Sequence, residues 1–184
     1  VLGTAGTRNI YSIDLATGKA TLLTQAPATV GGVSTGTALN SLAVDQVNGL
    51  IYYTSNDNAN ANRALFAYDY INNVHILVDS DLTANAAGVG NIAVGATGVG
   101  SGSATFANGF LYLGVENNSG GDGGGTVADD AIYRIQLSAD GRTLNAAAGS
   151  VSVLVGNITG NDWGDLGYNA AGNALLSSSG GTVT

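Results

Sequence analysis

LAVDQVNGLIYYT, residues 42–54, sets a short apolar run ending in an acid against a second apolar run rich in tyrosine, with Asn48-Gly49 between them. Short apolar runs bounded by turn residues are a strand signature, and Asn-Gly accepts the positive φ of a tight hairpin turn. The stretch therefore reads as two antiparallel strands and their turn. Two weaker copies follow: SATFANGFLYLG (103–114), turning at Asn108-Gly109, and GDLGYNAAGNALLS (164–177), turning near Gly172-Asn173.

Two further strand types complete a cycle. One is NIYSIDL (9–15), ALFAYDY (64–70) and AIYRIQL (131–137); the other is ATLLTQ (20–25), HILVDS (75–80) and VSVLVGN (151–157). They are joined by ATGK, INN and SADGR, all turn chemistry. With the hairpin strands called a and b and these two c and d, the chain reads b-c-d, a-b-c-d, a-b-c-d, a-b. Ile10 and Leu65 stand 55 residues apart and Leu65 and Ile132 stand 67 apart, the longer interval being filled by Gly- and Asn-rich insertions of loop character. Helical periodicity is nearly missing.

Four antiparallel strands per repeat predict an all-β chain, a β-propeller or partial propeller of four-stranded antiparallel blades. The expected organisation is a single propeller-like domain over 1–184: a partial blade 1–39, blades 40–100 and 101–160, and a partial blade 161–184. Strand a is expected to line the channel and strand d the rim. The expected core is Leu42, Val44, Ile51, Tyr53, Phe66, Tyr68, Ile76, Val78, Leu111, Ile132, Ile135, Leu154 and Leu166.

LAVDQVNGLIYYTSNDN followed by ALFAYDY resembles the YWTD and NHL type of β-propeller repeat, and IYSIDLATGKATLL is similar to repeats of bacterial extracellular propellers. The resemblance extends over nearly the whole chain as a blade pattern. It implies architecture, not activity: Tyr and Ser55 stand where a YWTD core has its Trp and final Asp, so that family's ligand-binding details do not carry over.

Composition narrows the function. Of 184 residues, 10% are charged, against about 25% in an average soluble domain. Polarity comes from Asn, Thr, Ser and 29 glycines, an extracellular or cell-surface kind of surface, expected to be bacterial and secreted. Net charge is −8, and the five basic residues, Arg8, Lys19, Arg63, Arg134 and Arg142, form no patch, which argues against nucleic acid and anionic lipid as partners. No apolar run of about 18 residues is present, so no membrane insertion by a helix is expected. The chain opens on Val1 in a strand-like run and is read as processed or as a piece of a longer propeller. No cysteine excludes disulfides and thiol catalysis.

Candidate sites fall in the loops that differ between copies. ENNSGGDGGGTVADD (116–130) holds Glu116, Asp122, Asp129 and Asp130, carboxylates that repel one another unless a cation such as calcium joins them; calcium favours six to eight oxygen ligands. The alternative is an acidic insertion that keeps a sheet edge soluble. SNDNANANR (55–63) offers Asx oxygens without a calcium-loop spacing. Asp162, Trp163 and Asp165 combine two acids with an aromatic platform, the elements of glycan chemistry, though a structural Asp and a core Trp account for them more simply. His75, the only histidine, is expected on an exposed strand face, and no G-x-S-x-G elbow accompanies it. Asn117 and Asn157 begin N-x-S/T acceptor triplets. No catalytic or cofactor-binding residue is assigned. The expected function is a non-catalytic module with a protein or glycan partner or with self-association through open β edges. The alternatives are a calcium-dependent propeller lactonase, esterase or glycan-active hydrolase, and a lectin-like sugar binder.

Overall fold

A computed structural model describes residues 2–3, 7–55, 64–92, 100–116, 131–155 and 163–179. The strands are β1 (Leu2–Gly3), β2 (Asn9–Ile13), β3 (Ala20–Gln25), β4 (Thr29–Val30), β5 (Val33–Ser34), β6 (Leu39–Asp45), β7 (Leu50–Ser55), β8 (Leu65–Asp69), β9 (Val74–Asp79), β10 (Gly100–Ala107), β11 (Phe110–Glu116), β12 (Ala131–Gln136), β13 (Val151–Val155), β14 (Trp163–Asn169) and β15 (Ala174–Ser179). The protein is all-β; among the described residues there is no helix. A first sheet β1-β2-β3, a second β6-β7-β8-β9, a third β10-β11-β12-β13 and a fourth β14-β15 are each antiparallel meanders in chain order. The short β4-β5 hairpin was not foreseen from the sequence.

The turns follow from one local device. Asp45, the last residue of β6, accepts from the backbone N–H of Val47 (3.0 Å) and Asn48 (3.2 Å). Asp69 does the same for Ile71 and Asn72, Asp14 for Ala16 and Thr17, and Asn169 for Ala171 and Gly172. An acceptor at the strand end thus satisfies the first amides of the turn, the Asx preference at such positions. The β10–β11 hairpin needs only two residues, Asn108 and Gly109, with φ of 53° and 81°. Positive φ at both matches the twist of the flanking strands.

The repeat extends to its irregularities. The c–d pairing shifts register at Ile10/Tyr11, at Leu65/Phe66 and at Ile132/Tyr133, the same place in three sheets. Bulges recur where they re-aim side chains. Burial at the bulge position depends on what covers it, and here one residue departs from the expected core. Leu154 falls in the register shift between Val153 and Val155 and is 46% exposed instead of buried. Val78, its counterpart on β9, is buried in a cluster with Leu82, Val89 and Ile92 of the following loop.

The sheets stack face against face. β7 is buried at every position because both its faces are covered. Ile51 and Tyr53 lie in a cluster with Ile10, Ala26 and Val30, toward the first sheet; Leu50 and Tyr52 lie in one with Leu111, Leu113 and Tyr133 of the third. The third sheet meets the fourth through Ile132, Tyr112, Leu166 and Leu175. β6 packs beside β10, and β10 beside β14, so the a strands lie next to one another. Of the remaining expected core, Phe66, Tyr68, Ile135 and Leu166 are buried, while Leu42, Val44 and Ile76 are partly buried against the clusters. Each buried aromatic removes enough apolar area from water to contribute a few kcal/mol, at about 25 cal/mol per Å².

Candidate functional site

The acidic loop 116–130 falls almost wholly outside the described residues. Asp122, Asp129 and Asp130 lie outside the described residues, and Glu116 is described only as the end of β11. The 56–63 part of the Asx-rich loop, Asp162, Asn117 and Asn157 also lie outside them. Among the described residues, no three His, Cys, Asp or Glu side chains are grouped to hold a metal ion. No described helix is long and apolar enough to cross a membrane, which leaves strands unaddressed.

Two polar side chains, His75 and Asp69, are committed to joints between sheets. His75 is half-buried, not the exposed strand residue expected from sequence. Its Nε2 lies 3.0 Å from Thr24 Oγ1 on β3 and its Nδ1 2.9 Å from Tyr53 Oη on β7. The ring stacks on Tyr68, with centroids 4.9 Å apart. Burial lowers the His75 pKa from its ordinary 6.5, since the charged imidazolium loses hydration there. The sequence held no signal for this: Thr24 is 51 residues away, and only stacking of the first two sheets brings it to the ring.

The second joint surrounds Asp69, which is fully buried. Its Oδ2 accepts from Asn72 Nδ2 at 2.7 Å and from Arg142 Nη2, and its Oδ1 takes the turn amides. Burial raises the carboxyl, but the Asn72 donors, Arg142 and the Ile71 amide outweigh it and hold the pKa down at about 2. Tyr52 Oη donates to Gly141 O at 3.0 Å across the same joint. Burial, then the charges of Asp45 and Asp140, push that phenol well above its usual value. At the third joint Asn108 Nδ2 donates to Tyr168 Oη at 2.8 Å, and Tyr168 donates on to Asn173 Oδ1.

What remains open is apolar sheet face. Tyr11 and Ile13 on β2 point away from the second sheet, opposite Leu22 and Ala20, with Ile13 37% and Leu22 52% exposed. On the fourth sheet Leu166 and Leu175 turn toward the third, and Leu176, opposite Gly167, is 58% exposed on the other side. Asp165 is exposed. It pairs with Ser178 in the β14–β15 register and is not brought together with any other acid in a described hydrogen-bond network.

No protein-family model matches the chain, and neither does any of the curated proteins with which it was compared.

Proposed function

We propose that the four sheets are blades of a β-propeller, whole or partial, and that the chain is a non-catalytic extracellular or cell-surface module that binds a protein or glycan partner or builds a surface structure. The observation that carries this reading is where the polar chemistry is spent. The single imidazole joins two sheets through both ring nitrogens, and Asp14, Asp45 and Asp69 hold turns. General acid–base or nucleophilic catalysis needs such groups free to reach a substrate. The blade assignment is supported by the in-order meanders, the face-to-face stacking and the side-by-side a strands.

The test is an assay of the purified chain against lactone, ester and glycoside substrates with calcium present. No turnover above buffer is expected. Turnover that depends on the chain overturns the non-catalytic reading. Calcium is proposed as a structural ion of the 116–130 loop, through Glu116, Asp122, Asp129 and Asp130; a calcium-dependent rise in Tm, lost when these four are changed to Asn or Gln, is the expected result.

A further inference from the structure

We propose that Asn108-Gly109, the turn of the β10–β11 hairpin, is a site of spontaneous covalent modification at which the asparagine converts to aspartate and isoaspartate, and that the equivalent Asn48-Gly49 turn is shielded from the same reaction. The Asn108 side chain meets Tyr168 of the fourth sheet, so the reaction also alters the joint between the third and fourth sheets.

The sequence has two Asn-Gly pairs, and both lie in the a–b turn of a four-stranded sheet. Asn-Gly is open to attack of the following backbone amide on the asparagine side chain, because glycine has no side chain to crowd its nitrogen. Gly109 N, giving up its proton to water, attacks Asn108 Cγ. The N–Cγ bond forms, the Cγ–Nδ2 bond breaks, and Nδ2 leaves as ammonia. Water then opens the cyclic imide. Cleavage at Cγ leaves aspartate; cleavage at the Asn108 backbone carbonyl carbon leaves isoaspartate, with the chain running through the side chain. Asparagine and water thus become an acid and ammonia, and no other reactant is needed.

The fold treats the two pairs differently. Asn108 and Gly109 are both exposed, and nothing stands within 4 Å of a Cβ built on Gly109. Among the described residues one hydrogen bond holds the Asn108 side chain, from Nδ2 to the neutral Tyr168 Oη at 2.8 Å, and it is open to water. Asn48 is half-buried and Gly49 buried. Asn48 Nδ2 donates to Asp45 Oδ2 at 2.7 Å and its backbone amide to Asp45 Oδ1 at 3.2 Å, so one carboxylate clamps both side chain and backbone. Ile71 packs over Gly49 where a Cβ would stand. Charge acts in the same direction: a negative charge forming on Gly49 N would arise in a turn built around the buried Asp45 carboxylate, and like charges in a buried site oppose each other. At Asn108 the product has a consequence. Tyr168 Oη accepts from Asn108 Nδ2 and gives its only proton to Asn173 Oδ1 at 2.8 Å. An aspartate at position 108 presents an oxygen in place of that donor, so two acceptors compete for one proton.

The experiment is incubation of the full chain at mildly alkaline pH, native and in urea, followed over time by mass spectrometry of tryptic peptides; cleavage at Arg63 puts Asn48 and Asn108 on different peptides. In the native chain Asn108 is expected to show the mass gain of ammonia lost and water added, with paired aspartate and isoaspartate products, about 10-fold or more faster than Asn48. In urea the two rates are expected to converge. Gly109→Ala, whose added methyl meets open space, is expected to slow the native reaction about 10-fold or more. Equal native rates overturn the proposal, as do faster conversion at Asn48, no native conversion at either site while both react in urea, or a Gly109→Ala rate equal to wild type. The consequence is read with Asn108→Asp, since Asp-Gly suits the same turn. Its Tm at neutral pH is expected to lie below wild type, by a margin that disappears when both proteins also carry Tyr168→Phe. An equal Tm, or a margin that Tyr168→Phe leaves in place, overturns the competition at Tyr168.

Discussion

Arg142, in the turn after β12, donates through Nη2 to Asp69 Oδ2, the buried carboxylate that ends β8 in the neighbouring sheet. The pair is unequal: Asp69 is 1% exposed and Arg142 37% at the side chain. Removing the arginine leaves a buried charge with local donors only. Arg142→Ala is therefore expected to lower stability by about 1–3 kcal/mol, less than a wholly orphaned buried ion because Asn72 and the turn amides remain. Urea unfolding checks it. An unchanged midpoint would show that the pair contributes nothing net.

Acid reaches the same residue. The Asp69 carboxyl lies near about 2 in the fold against an ordinary 3.8, so the folded state binds its proton less readily than the unfolded chain. That contribution is complete above the unfolded value and is lost as pH falls through about 2; a shift of this size corresponds to about 2 kcal/mol. Asp69→Asn is expected to be less stable than wild type at pH 5, with the difference narrowing as the pH is lowered toward 2. Tm measured across that range for both proteins decides the point, and parallel curves would contradict it.

His75 titrates in the opposite part of the scale but with the same sign. Its folded pKa lies below 6.5, so the neutral ring stabilises the fold above that value. The contribution falls away as pH drops below 6.5. Wild-type Tm is expected to decline between pH 7.5 and 5, and His75→Phe, which keeps a ring against Tyr68, is expected to flatten that decline. The variant also leaves Thr24 and Tyr53 without their shared partner, at about 1 kcal/mol or more at neutral pH. A slope unchanged by the substitution would assign the decline to other groups.

Backbone clearance separates two glycines of similar conformation. Gly90 has φ of 97°, and a Cβ there would fall on the Val151 carbonyl oxygen, where Val151 N also bonds to Val89 O. Gly109 has φ of 81° with nothing within 4 Å. Gly109→Ala is expected to cost about 1 kcal/mol of backbone strain, whereas Gly90→Ala adds a clash that only separation of the loop from β13 relieves, about 3 kcal/mol or more. Thermal unfolding of the two variants side by side tests the ranking.

The strands and their order were legible because the signals are local. Alternation, Asn-Gly turns and strand-end Asp residues act within a few positions, and Asp45, Asp69 and Asp14 make the turn bonds their placement suggests. The equivalence of Ile10, Leu65 and Ile132, read from the c-strand pattern and supported by spacing, reappears as the c-strand residue just before the c–d register shift in each sheet. Less legible was burial. Alternation tells which residues share a face, not whether a face is covered. Leu50, Tyr52 and Leu113 were left out of the expected core although each is buried, since β7 and β11 are sandwiched between neighbouring sheets.

By itself, then, the sequence determined the all-β character, the meander units and the chemistry of each turn. Tertiary structure alone decided the rest. It placed His75 between Thr24 and Tyr53, set Arg142 on Asp69, and covered Val78 while leaving Leu154, at the same bulge position of the next sheet, exposed. It also left Ile13 37% and Leu176 58% exposed, whereas Tyr68 and Tyr52 at the equivalent positions of the second sheet are buried. The physical reason is range: hydrogen bonds within a turn are encoded by neighbours in the chain, whereas coverage of a sheet face depends on which sheet is stacked against it.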